Sequence, residues 1–203
     1  MSVVVVEPPE PIVTPEDVGG NAGDQMLMAL IQAATEEIDG PTGWVGRCFG
    51  PQTLELTLNC GLTHSTSLPC PPIIGILSVA YTDANGEDHP LPEADYGLVS
   101  NALTMRWGSG IPTLIDSWEY SSPLKIRYRA GYDGETTGPV PERARQAVIL
   151  AVRNMQALSA ENLFLRSEEV EGIGTMSYTV SDIAGRVMRE TSERLLQGLR
   201  VYA

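Results

Sequence analysis

Positive charge is almost missing from the first half of this 203-residue chain. Residues 1–100 carry 14 acids and a single base, Arg47, whereas residues 101–203 carry 12 of each. The whole net charge of −13 therefore belongs to the first half. Affinity for a phosphate backbone comes from clustered cations, so this distribution argues against DNA as a tightly held ligand. Lysine occurs once, at Lys125, and the remaining bases are arginines, whose forked donors suit paired carboxylates at protein contacts. Aromatic residues make up only 6% of the chain, and Gly (20) and Pro (15) are plentiful, which predicts a modest core with many turns. Three cysteines, Cys48, Cys60 and Cys70, cannot all pair within one chain and predict free buried thiols in a reducing compartment. No apolar run approaches the roughly 20 residues a membrane-spanning helix needs, so no membrane partner is expected. Val3 to Val6 is too short for a signal-peptide core and is stopped by Glu7, Pro8 and Pro9.

What is present is the balance of a globular domain, 42% hydrophobic and 19% charged. Residues 1–13 read as an extended, proline-rich arm, with Val3 to Val6 available as a strand added to a neighbour. Thr14-Pro15-Glu16-Asp17 has the composition of a helix start. From Asp24 to Asp39, Leu27, Leu30, Ile31, Ala34 and Ile38 make one apolar helical face, ended by Gly40-Pro41. Thr53 to Asn59 alternates, with Leu54, Leu56 and Leu58 on one face, and Leu124 to Ala130 alternates with Leu124, Ile126 and Tyr128 inward. Between them lie Ile73 to Thr82, a hairpin turn at Asp83 to Gly86, and a second hairpin over Asp95 to Val99 and Leu103 to Trp107. Pro139 to Ser159 predicts a helix whose buried stripe is Ala144, Ala147, Val148, Ala151, Val152 and Met155. Residues 160–181 predict a loop with a short strand over Thr175 to Val180, and Ser181 to Arg200 a last helix. The order gives an α+β fold, a small antiparallel sheet with hairpins beside helices. The organisation expected is an arm (1–13), a domain (14–158), and a loop with a C-terminal arm (159–203).

Candidate chemistry is thin. Asp83, Asn85 and Asp88 around Gly86 resemble part of a calcium loop, but the position twelve places from Asp83 is Ala94 rather than a glutamate, and the turn reading is preferred. Cys60, His64 and Cys70 form a possible metal set without the paired spacing of a zinc site. Only His64 and His89 could serve histidine chemistry, and no nucleophile elbow or phosphate-binding glycine loop is present. No catalytic, cofactor or metal site is expected. Two polar features remain. The acidic run Glu168, Glu169 and Glu171 is either a solvated loop or a surface meeting an arginine-bearing neighbour or lining a channel. The C-terminal segment, with Ile183, Val187, Leu195, Leu196, Leu199 and Val201 among Arg186, Arg189, Arg194 and Arg200, is either a helix on its own core or a docking arm.

Six stretches in order give the chain a family likeness: TPEDV, EEIDGPTGWVGRCF, QTLELTL, the proline-rich LPCPPIIGILSVAYTDANGEDHPLPEADYGL, LKIRYRAGYDG and VPERARQAVILAVRNM. Together, over about residues 14–158, they resemble the head-tail connector (adaptor) family of long-tailed phages and gene transfer agents. Trp44 stands where that family reads Tyr, and residues 160–203 match less well. The resemblance implies a non-enzymatic virion neck protein, assembled in the host cytoplasm. It implies a helix bundle with a sheet or hairpin, forming a ring, commonly of about twelve subunits, below the portal. The ring's partners would be the portal, a stopper or tail-completion protein and copies of itself, with DNA passing through unbound. It also implies portal docking by the C-terminal segment, which here means Arg186, Arg189, Arg194, Leu195, Leu196, Leu199, Arg200 and Tyr202. Other readings are another neck or tail-completion protein, a small metal-binding enzyme, or a nucleic-acid-binding module using the C-terminal arginines.

Overall fold

The computed structural model describes residues 1–58, 65–82, 85–106, 124–160, 168–170, 174–176 and 182–201. Its strands are β1 (Ser2–Glu7), β2 (Gln52–Leu58), β3 (Ser65–Ser67), β4 (Ile73–Thr82), β5 (Asp88–Pro90), β6 (Tyr96–Val99), β7 (Ala102–Met105), β8 (Leu124–Ala130), β9 (Glu168–Val170) and β10 (Gly174–Met176). The helices are α1 (Gln25–Ile38), α2 (Glu142–Ala160) and α3 (Asp182–Gln197), with short 3-10 turns at Pro15–Val18 and Glu93–Asp95. The fold is α+β, and the chain divides into two compact units.

The first unit comprises Met1–Glu10, Glu36–Val140 and Arg200–Ala203. Its main sheet is antiparallel in the order β1-β2-β8-β4-β5, and a smaller sheet runs β3-β7-β6. The alternation of β2 and β8 sets the inner face, where Leu54, Leu56, Ile126 and Tyr128 are fully buried. The same cluster takes in Leu68, Tyr96, Leu103 and Met105 from the smaller sheet and its flank. A sheet face with helices laid over it was the expectation. Among the described residues this face meets a second sheet, because the hairpin residues Tyr96 to Met105 and Ser65–Ser67 pair with each other rather than extending the first sheet.

The outer face of the main sheet is a ladder of opposite charges. Lys125, Arg127 and Arg129 project from alternate positions of β8 to Asp88 (2.7 Å), Glu55 (2.7 Å) and Glu10 (2.9 Å). Each pair is substantially exposed, so individually these contribute about 1 kcal/mol or less. β4 crosses this sheet with two register shifts, between Ile73 and Gly75 and between Ile76 and Ser78. Each bulge reverses the phase of the pleat, so Ile76 packs on the core while Leu77 is left 51% exposed.

Ser2–Glu7 departs from the irregular arm expected of residues 1–13. It is an edge strand of the chain's own sheet, with Val3 opposite Leu56 and Val5 opposite Leu54. Glu7 accepts a hydrogen bond from Thr53 Oγ1 (2.5 Å) where the register shifts beyond Val5.

The second unit comprises Pro11–Thr35 and Pro141–Leu199. Leu27, Ile31 and Ala34 of α1 are buried, as are Ala144, Ala147, Val148 and Val152 of α2, while Leu30, Ala151 and Met155, expected on the same faces, are half-buried. α2 packs against α3 and against the Pro15–Val18 turn. That turn is held by Asp17, whose Oδ2 accepts from the Thr14 amide and hydroxyl and pairs with Arg145 at 3.1 Å. Those contacts, led by the Thr14 amide, lower the Asp17 carboxyl below its ordinary range. The stretch expected as a loop with a strand over Thr175 to Val180 holds the hairpin β9–β10, pairing Thr175 with Glu169.

Candidate assembly surfaces and the motif junction

Four of the sequence motifs meet at one place in the sheet unit. α1 ends in Asp39, and the chain then turns tightly through Gly40 (φ +73) and Gly46 (φ +69). The Gly40 amide donates to the Arg47 carbonyl at 3.0 Å and the Gly46 amide to Gly43 at 3.2 Å. A Cβ at Gly43 would lie 2.4 Å from the Ile38 carbonyl carbon, so the turn closes this tightly only around glycine. Arg47, the sole base of the first hundred residues, donates from Nη1 to the Tyr132 hydroxyl at 3.1 Å. Phe49 stacks on the Tyr132 ring, and the Tyr132 amide donates to the Phe49 carbonyl at 3.1 Å. GWVGRCF and AGYDG, more than eighty positions apart, are thus a single packing unit.

Asp39 fastens this junction. Its carboxylate accepts from the Phe49 amide (3.0 Å), the Gly50 amide (2.9 Å) and Gln52 Nε2 (2.7 Å), and the side chain is buried. Burial pushes its carboxyl up from 3.8 to about 6, against the pull of the donated hydrogen bonds. The proline-rich motif arrives from the other side: Cys48 donates its amide to the Pro71 carbonyl (3.2 Å) and Gly131 to that of Pro72 (2.9 Å). Cys48 and Cys70 are buried free thiols, as the cysteine count predicts, while Cys60 lies outside the described residues. The hydrogen bond to Cys70, burial and the nearby Asp39 carboxylate all push the Cys48 thiol up, so it stays protonated.

The chain's C-terminal residues return to the same turn. The Val201 amide donates to the Val45 carbonyl at 2.9 Å, and the Arg200 guanidinium lies over the Trp44 ring at 5.8 Å. A cation over an exposed aromatic face contributes about 0.5–1 kcal/mol. Trp44→Ala is accordingly expected to speed hydrogen exchange at the Val201 amide by about two- to fivefold, readable by mass spectrometry, with little change in global stability.

The residues expected to dock on a portal are therefore dispersed. Arg186 (81% exposed at its side chain, 3.8 Å from Glu190) and Arg194 lie on the open side of α3. Leu196 is fully buried and Leu195 and Leu199 half-buried. Between the two readings of this amphipathic segment, Leu196 takes the one in which the helix packs on its own unit. Arg200 is engaged by Trp44. The Arg189 side chain and Tyr202 lie outside the described residues. Glu168 and Glu169 fall in β9 with side chains outside the described residues, as does Glu171 altogether.

Of the metal candidates, Cys60, His64 and Asp83 lie outside the described residues. Asp88 accepts from Thr82 Oγ1 and Lys125 Nζ, which lower its carboxyl and occupy both its oxygens. Among the described residues no three His, Cys, Asp or Glu side chains are grouped to hold a metal ion. No described helix is long and apolar enough to cross a membrane.

The chain's fold is similar, end to end, to that of chains in gene transfer agent particles. It matches a chain in the neck of a native gene transfer agent particle, solved with C12 symmetry, at a TM-score of 0.65 and 16% identity. That match covers 100% of this chain and 97% of the other. The neck of an empty particle of the same kind, with C6 symmetry, and the virion of a native gene transfer agent each match at 0.62, also at 16% identity and with the same coverage. No known family model matches the chain, and no curated protein matches it. Asp39, Trp44, Val45 and Gln52 were not expected as site residues. The one signal for Asp39 was an acid at a helix C-terminus, where the dipole disfavours negative charge and a dedicated partner is required.

Proposed function

We propose that this chain is a structural subunit of a virion neck, a head-tail connector that forms a ring below the portal and extends the DNA channel towards the tail. The observation that carries this reading is the end-to-end fold likeness to a neck chain, 100% of one and 97% of the other, in a particle with C12 symmetry. The order of the six motifs supports it independently, and the junction where they meet is built of packing and backbone hydrogen bonds that fix shape. The C12 symmetry of the neighbour's neck supports a twelve-copy ring. The partners are the portal, through exposed positions such as Arg186 and Arg194, and a stopper or tail-completion protein on the far side. An acidic excess of 13 charges per copy, repeated around a ring, repels DNA and keeps its passage free of adhesion. No bond is made or broken in this role.

The test is co-purification of the full-length chain with the portal ring of its own particle, followed by electron microscopy. The expected result is a ring of this protein seated on the portal, with symmetry matched or simply related to it. Absence of any complex across low and moderate salt would remove the proposal. DNA binding that is strong at low salt and falls steeply with added salt would favour the nucleic-acid reading instead.

A further inference from the structure

The first six residues present a free strand edge of an unusual kind. β1 is the outermost strand of the main sheet, bonded on one side to β2 and on the other to no strand among the described residues. Natural edge strands are commonly short, or guarded by lysine, proline or inward-pointing charge, because an open row of backbone donors and acceptors invites a further strand. Here the edge reads Ser-Val-Val-Val-Val, with no charge before Glu7 and no proline before Pro8. Val4 is 59% exposed, Val5 39% and Val6 43%. The register shift beyond Val5 marks where regular pairing stops, leaving Ser2 to Val5 as the template. Among the described residues the other edge strands are shorter: β5 is three residues ending in Pro90, β3 three residues of Ser and Thr, β9 and β10 three each, and β6 four residues with Gly97 as its second.

We infer that the outer edge of β1 is the seam between neighbouring copies, where the adjacent subunit adds a strand head to tail. The inference rests on the neck-ring reading, which sets a second copy beside every copy. A ring of more than two copies is built by a head-to-tail contact, which uses different patches on the two partners, whereas two β1 edges meeting about a two-fold axis make only a closed pair. Backbone pairing supplies affinity, and exposed Val4 and Val6 supply the apolar contact.

The test compares the full-length protein with a Val4→Lys, Val6→Lys double variant. Assembly on the portal ring is followed by mass photometry and electron microscopy, and each protein is first melted alone. Both sites are exposed, so the melting temperature is expected to hold, while ring formation requires at least tenfold more protein or is lost. Backbone hydrogen exchange of residues 2–6 in the unmodified protein gives a readout free of substitution, and is expected to slow at least tenfold on assembly. A variant that forms rings as readily as the parent, or exchange in residues 2–6 unchanged by assembly, overturns the inference while the neck reading stands. A closed pair of copies joined through β1 also overturns it. If the unmodified protein binds no portal and forms no ring, the neck reading itself fails and the seam with it.

Discussion

Asp39→Ala is expected to destabilise the sheet unit by about 3–5 kcal/mol, the range for removing one partner from a buried charged network. The substitution leaves the Phe49 and Gly50 amides and the Gln52 side chain with no acceptor in a region closed to water. Each buried donor so orphaned costs about 1–3 kcal/mol. Loss of the buried charge offsets part of this, because the carboxylate is held at a desolvation cost that its raised titration point near 6 records. For a domain of this size the loss lowers the melting midpoint by on the order of 10 °C. A midpoint within a degree or two of the parent would mean that the four-way contact is not what fixes the turn.

The same group gives stability a pH dependence opposite to that of a salt-bridged acid. Its folded carboxyl titrates near 6 and its unfolded one near 3.8, so between those values the folded state binds more protons. Stability from this group therefore rises as pH falls through 6, and levels off below 3.8. Between pH 7.5 and 5.0, above the isoelectric point of 4.5, the gain is on the order of 1 kcal/mol. Asp133 acts in the other sense but lower down. Its carboxyl, held near 2 chiefly by the Thr137 amide, loses its contribution only as pH falls from 3.8 towards 2. Urea unfolding of the parent and of Asp39→Asn at the two pH values separates the Asp39 effect. The parent is expected to gain stability at pH 5.0 relative to the variant, and equal slopes in the two proteins would refute the assignment.

Much of the architecture could be read from spacing alone, and the places where it could not share a cause. β2 and β8 carry strict alternation, so their faces were fixed by the pleat and the buried residues are the ones named. α1 and α2 carry their apolar residues at helical intervals and bury them accordingly. Val3 to Val6 has no alternation at all, and the prolines behind it suggested an arm. Its place as β1 is decided by β2, some fifty residues away, which no local pattern encodes. β4 alternates only after its two bulges are allowed for. The second sheet was visible as a hairpin, but the strand β3 that completes it pairs across more than thirty residues. Asp39 looked like the last residue of a helix before Gly-Pro, because the donors it serves lie 10 to 13 positions further on. For the C-terminal segment the period is silent: an amphipathic helix has the same pattern whether its apolar side meets its own unit or another protein, and the burial of Leu196 is a property of packing, not of period.

Gly131→Ala is expected to be strongly damaging. Gly131 ends β8 at a φ of +122, where a side chain is already disfavoured, and its added Cβ would sit 2.3 Å from the Gly50 carbonyl oxygen and 2.8 Å from Pro51 Cα. Both obstacles are backbone. Gly50 cannot yield in turn, since its own Cβ position lies 2.1 Å from the Glu10 carbonyl oxygen. Three backbone segments, leaving β1, leaving the Asp39 turn and leaving β8, are stacked with no side chain between them. Gly134 supplies the control three residues on. It has a φ of +81 with nothing within 4 Å of the added carbon, so Gly134→Ala meets only the left-handed backbone penalty of about 1–2 kcal/mol. Gly131→Ala adds overpacking to a comparable backbone cost, for a total of about 3–5 kcal/mol. Urea midpoints for the two variants measure the difference, and equal losses would show that the close crossing relaxes freely. The crossing also bears on assembly. It holds the segment that follows the strand proposed to meet the next subunit, so a Gly131→Ala protein that still folds at low temperature is expected to lose ring formation before it loses its secondary structure.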